Sequence, residues 1–160
     1  MGNKIYLFVL CCLLMLPIQA KDNVPLKYDI ECAGNGVQGT YLVQVSVYVD
    51  KKEVHPEMTM KAATHGVIFR GFDGSTGCFS QKAMAKSPTL EEQQADFFRS
   101  FFENNGAYRN YANVIEGTYQ SARTSNKKVY KITAIVAVQK DQLRKDLEEA
   151  GILQFLSDGF

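Results

Sequence analysis

Cys78 and His65 are the two side chains in this sequence best suited to covalent chemistry. An imidazole beside a thiol lowers the thiol pKa and yields a thiolate nucleophile, and Cys78 stands in a glycine-rich stretch, Gly71 to Ser87. Two features weigh against catalysis. His65 projects near Met58, Ala62 and Phe69, where a satisfied core histidine is the commoner occupant, and no Asn or Asp is placed by spacing to orient it. Cys78 also has a second use, because a disulfide to Cys32 would leave no thiolate to attack anything. Closing the loop between them would stabilise the fold by about 4 kcal/mol through lost denatured-state entropy. Two separate buried thiols are the alternative, and spacing does not choose between them.

The other constellations are weaker. His55, His65, Cys32 and Cys78 could supply four zinc ligands, but neither C-x-x-C nor H-x-x-x-H is present, so no metal and no cofactor is expected. Gly34-Asn35-Gly36-Val37-Gln38-Gly39 fits G-x-G-x-x-G literally. A valine-rich run follows where a dinucleotide site needs a helix whose amides face the pyrophosphate. No G-x-S-x-G elbow and no G-K-[ST] phosphate loop occurs. The pairs Glu91-Glu92 and Glu148-Glu149 read as solvated helix faces. Gln94 amid phenylalanines, with Phe69, Phe72, Phe79, Tyr108 and Tyr111, could line a small apolar cleft, although filling the core is the favoured role of such aromatics.

The front of the chain has the grammar of an export signal: Lys4, an apolar run from Ile5 to Leu16, then Pro17-Ile18-Gln19-Ala20 before Lys21-Asp22. That run is about 18 Å long as a helix, too short for a bilayer core of about 30 Å, so cleavage after Ala20 is expected and no membrane span in the mature chain. A lipid anchor on Cys11 or Cys12 is disfavoured by the bulky Val9-Leu10 before them. Removal of the signal takes away Cys11 and Cys12 and leaves Cys32 and Cys78 to meet an oxidising compartment. Without Lys4, the 18 Lys and Arg become 17, against 17 Asp and Glu, a balance that disfavours nucleic acid or an anionic membrane as partner. Hydrophobic content of 46%, with 10 Phe and 8 Tyr, is enough to close one core over residues 21–160.

The positioning elements follow from periodicity. Lys27 to Ala33 and Thr40 to Val49 alternate as strands, and Gly34-Asn35-Gly36 between them can reverse the chain into an antiparallel hairpin. Pro56 opens a helix over Glu57 to Arg70 that is apolar on two sides, which suits a position between a sheet and a second layer. Gly71 to Ser87 reads as a long loop around Cys78. A capping box, Thr89 with Glu92, should start a helix running to about Asn104, with Gln94 and four phenylalanines on one arc. Val114 to Ala122 and Lys128 to Val138 read as a second hairpin, and Asp141 should cap a last helix ended by Gly151. The expected fold is α+β, a four-stranded, mainly antiparallel sheet in ββααββα order with helices chiefly on one face.

Lys61-Ala62-Ala63-Thr64-His65-Gly66-Val67-Ile68-Phe69-Arg70-Gly71-Phe72, together with the strand and helix from Lys128 to Gly151, resembles short secreted proteins of unknown function from Gram-negative gut-type bacteria. The element order is more distantly similar to the small α+β domain of flagella-associated and outer-membrane lipoproteins. That resemblance implies an envelope setting and a helix-on-sheet fold, and no reaction. The expected function is a non-catalytic binding or scaffold domain in the periplasm or at the cell surface. Its contact surface is expected around the Gly71 to Ser87 loop, with Phe72, Asp73, Phe79, Gln94, Tyr108 and Tyr111 as binding residues. The partner would be an envelope protein, a peptide or a small ligand, and self-association is open. A thiol enzyme using Cys78 and His65, and a carrier of an apolar ligand, are the alternatives.

Overall fold

Val43, Val45, Val47 and Val49 in Tyr41–Val49, and Ile132, Ala134, Val136 and Val138 in Tyr130–Val138, give each of two strands one continuous apolar face, and these two strands pair at the centre of the sheet. The computed structural model describes residues 27–50, 56–74, 77–103, 105–125 and 129–154. The expected signal segment, Cys11, Cys12 and His55 lie outside the described residues. The strands are β1 (Tyr28–Gly34), β2 (Tyr41–Val49), β3 (Ala112–Val114), β4 (Gln120–Arg123) and β5 (Tyr130–Val138). The helices are α1 (Pro56–Phe69), α2 (Leu90–Gln93), α3 (Ala95–Phe102) and α4 (Lys140–Glu149), with a 3-10 turn at Ala107–Asn110. The fold is α+β. Every strand pairing is antiparallel, in the order β1-β2-β5-β3, and β4 also pairs with β5.

Among the described residues five strands therefore stand where four were expected, because the strand read over Val114 to Ala122 is two. Its middle leaves the ladder at Gly117, whose φ of +75° suits a residue without a Cβ. Thr118 then replaces the missing main-chain bonds: its hydroxyl donates to the Ile115 carbonyl at 2.7 Å and accepts the Ile135 amide at 3.0 Å. One column beside β5 is thus shared by two short strands. The helix expected from Thr89 to Asn104 is also divided, at Gln94 (φ −114°, ψ 35°). Thr89 does not cap it, since its backbone is already near-helical and its hydroxyl meets Ser87 at 3.0 Å instead. Asp141 likewise lies in the first turn of α4, behind a Gln139 cap that makes no side-chain bond.

The apolar face of the sheet takes α1. Ala62, Ala63 and Gly66 are buried and small, so the helix backbone lies close: a Cβ on Gly66 would stand 2.6 Å from Ile30 Cδ1. The buried hydroxyls of Thr59 and Thr64 donate to the Pro56 and Met60 carbonyls within the same helix. The other side of α1 carries His65 and Phe69 against Phe102 and Phe98, at ring separations of 5.6 Å and 4.8 Å. The expectation of a sandwiched helix holds for this reason, and α3 is the outer layer. Leu143 and Leu147 bring α4 into the same core. The opposite face of the sheet presents Glu31, Gln44, Lys131 and Thr133. Among the described residues no helix is long and apolar enough to cross a membrane.

Candidate functional site

The loop after α1 is fixed to the sheet edge by covalent and main-chain links. Cys32 of β1 and Cys78 form a disulfide spanning 46 residues, with Cα atoms 6.1 Å apart. The Cys32 amide donates to the Asp73 carbonyl at 3.0 Å, and Phe72 and Gln81 exchange two main-chain bonds of 2.9 Å. Gly71 (φ +70°) makes the return possible, because a Cβ there would lie 2.2 Å from the Gln81 carbonyl oxygen. Phe72 is buried and meets Tyr41 edge-on at 5.1 Å, while the Tyr41 hydroxyl donates to Gln81 at 2.9 Å. Phe79, next to the disulfide, is 83% exposed. Val37 is 78% exposed in the turn that follows Gly34, whose carbonyl lies 3.4 Å from Cys78 Sγ. The two most exposed large apolar side chains among the described residues thus sit on the loop that the disulfide ties to β1 and on the turn that follows β1.

His65 is elsewhere. Its Nδ1 lies 2.6 Å from the Tyr28 hydroxyl and its Nε2 3.2 Å from the Glu91 carboxylate. Tyr28 and Cys32 are four residues apart on β1, roughly 13 Å at about 3.3 Å per residue, so the structure does not bring His65 to Cys78. Burial pushes the Tyr28 phenol up to about 12, so it remains a donor to Nδ1 at neutral pH. A neutral His65 ring with its proton on Nε2 donates to Glu91 and accepts from Tyr28 at Nδ1. Burial also lowers the His65 pKa, against the pull of Glu91, and the cations Arg70 and Lys61 push the same way. Arg70 stacks 4.7 Å over the Tyr28 ring and donates to the Tyr28 carbonyl at 2.9 Å. The carboxylate–imidazole–hydroxyl order is that of a proton relay, but its last hydroxyl is buried. What it does is join β1, α1 and α2.

A cleft of about 510 Å³ opens between α3, the 3-10 turn and α4. Phe97, Phe101, Tyr111 and Leu147 line it with Asp96 and Asp146. The Tyr111 ring stacks on Phe101 at 6.0 Å and its hydroxyl donates to Asp146 at 2.8 Å. Burial, and then the bond to Asp146, hold that phenol up to about 12.

Phe72, Asp73 and Phe79 thus share one loop, Phe72 buried and the other two exposed. Tyr111 lines the cleft instead, and Tyr108 is 3% exposed, packed on Phe102 at 6.1 Å. Gln94 is exposed at the break between α2 and α3. Sequence reasoning missed Tyr28 and Glu91 as partners of His65, which only tertiary contact brings together. It missed Asp146 too, whose signal was its position next to Leu147 at the border of the α4 apolar stripe. Among the described residues no group of three or more His, Cys, Asp or Glu is placed to hold a metal ion.

Fold and site define an α+β domain with a loop tied by a disulfide to the edge strand β1 and an apolar cleft among its helices. Comparison with protein-family models, with curated proteins and with solved structures finds no match to this chain.

Proposed function

We propose that this chain is an exported, non-catalytic binding or scaffold domain of the bacterial envelope, which meets its partner through the loop from Gly71 to Ser87. The observation that carries this is Phe79, 83% exposed beside Cys78. An aromatic ring held in water by a loop with fixed ends loses little conformational entropy on docking, which is how aromatic anchors act at interfaces. Val37, exposed in the turn after β1, and Asp73, exposed on the same loop as Phe79, are the further contacts of this surface. The export pattern from Lys4 to Ala20, the resemblance to secreted envelope proteins and the disulfide support the compartment. A disulfide at Cys78, with His65 committed to Tyr28 and Glu91, weighs against the thiol enzyme.

Fractionation of a Gram-negative host should place the chain outside the cytoplasm, with a new N-terminus at Lys21 by mass spectrometry. Phe79→Ser should then abolish co-sedimentation with the envelope fraction while leaving the melting temperature unchanged. Equal co-sedimentation of wild type and variant would refute the contact surface, and recovery of the intact chain from cytosol would refute export. A second reading, carriage of an apolar small ligand, is favoured by the cleft lined by Phe97, Phe101 and Tyr111.

A further inference from the structure

We infer that the cleft between α3, the 3-10 turn and α4 binds a small ligand with an apolar body and one cationic head, of the alkylammonium or arylammonium class. This rests on the carriage reading and adds to it the charge of the ligand. A volume of about 510 Å³ lies within the range of small-molecule pockets, about 300 to 1,000 Å³. The Phe101 and Tyr111 rings stack 19° from parallel and both line the cleft, with Leu147 among its other apolar residues. Among the described residues that line it none is Lys, Arg or His, whereas Asp96 and Asp146 both line it.

Asp146 is the stronger anchor. Its carboxylate is held by two neutral donors, the Tyr111 hydroxyl at 2.8 Å and Gln142 Nε2 at 2.6 Å, one on each oxygen. A carboxylate offers about four acceptor positions, so each oxygen can still take a hydrogen from an ammonium group. Neutral donors orient the charge without cancelling it. Ala150, at the carboxyl end of α4, also borders the cleft, and the carbonyl end of a helix adds negative potential. Asp96 pairs with Arg99 at 3.0 Å, but both side chains are exposed, and a pair in water yields readily to a competing cation.

The test titrates the full ¹⁵N-labelled chain with n-octylammonium, 1-octanol and octanoate, which share one chain length and differ in head charge. Octylammonium should shift the amides of α3 and the last turn of α4, bind about fivefold more tightly than octanol, and weaken with added salt. Octanoate should bind least. Asp146→Asn keeps an acceptor for Tyr111 and should bring octylammonium to within about twofold of octanol. Asp96→Asn should weaken octylammonium about twofold. Ala150→Phe should exclude all three probes. Equal binding of octanol and octylammonium to the cleft would overturn the charge assignment and leave carriage standing. If no probe shifts these amides, both readings fall. Should Asp146→Asn not fold, an octylammonium affinity unmoved by salt and by Asp96→Asn would overturn the assignment.

Discussion

The Tyr28 hydroxyl stands 2.6 Å from His65 Nδ1, and the other ring nitrogen of His65 faces Glu91 at 3.2 Å, so one imidazole bridges the sheet edge and the helical layer. Burial lowers the His65 pKa and outweighs the pull of Glu91; Arg70 and Lys61 add to the lowering. The unfolded chain therefore takes up a proton that the native ring resists. The stabilisation is complete above the unfolded value of about 6.5 and is lost as pH falls toward and through the depressed native value. The urea midpoint of the wild type should drop more between about pH 7.5 and 5 than that of His65→Gln. Parallel pH profiles would show that His65 does not contribute.

The disulfide predicts a redox dependence. Peptide mapping of unreduced protein should recover Cys32 and Cys78 in one linked fragment. Replacing both with alanine should cost about 4 kcal/mol by the chain-entropy account, read from urea unfolding. A cost under about 1 kcal/mol would mean that main-chain links such as Cys32 to Asp73 suffice to hold the loop.

Two glycines of similar φ should respond differently to alanine. Gly71 (φ +70°) would place its Cβ 2.2 Å from the Gln81 carbonyl oxygen and 2.8 Å from the Ala83 amide nitrogen, both main-chain atoms that cannot swing away. Gly117 (φ +75°) faces open space. Gly117→Ala should cost about 1 kcal/mol for the backbone conformation alone. Gly71→Ala should cost more than about 2 kcal/mol and raise hydrogen exchange in the loop through Ser87. Equal costs in thermal melts would refute the close approach.

Phenylalanines at two depths make a further pair. Phe98 is 3% exposed among Phe69, Phe97, Phe101 and Phe102, and Phe98→Ala should cost about 3 to 5 kcal/mol. Phe79 is 83% exposed, and Phe79→Ala should fall within about 0.5 kcal/mol of wild type. A large loss at Phe79 would mean that its ring is packed in solution.

Much of the architecture was legible in local pattern. Alternation located β1, β2 and β5, because a two-residue period cannot be satisfied by a helix with one buried face. Pro56 and the two-sided apolar pattern located α1 and its place between layers. Less legible was the column formed by β3 and β4. Its interruption depends on Thr118 finding Ile135 seventeen positions away, and no window of adjacent residues contains that bond. The break at Gln94 escaped for a related reason. Glu91, on α2, is drawn to His65 while α3 is held by its phenylalanines against α1, so one helical pattern serves two anchors.

Sequence by itself determined the inward faces of β1, β2 and β5 and the reversal between β1 and β2, since periodicity and turn chemistry act over a few residues. It left open whether Cys32 and Cys78 bond, what His65 faces, and which aromatics reach water. Those depend on contacts between residues far apart in the chain. Tertiary structure decided them by bringing Cys78 to β1, taking His65 to Tyr28 and Glu91, and leaving the Phe79 ring exposed while Phe72, seven residues earlier, is buried.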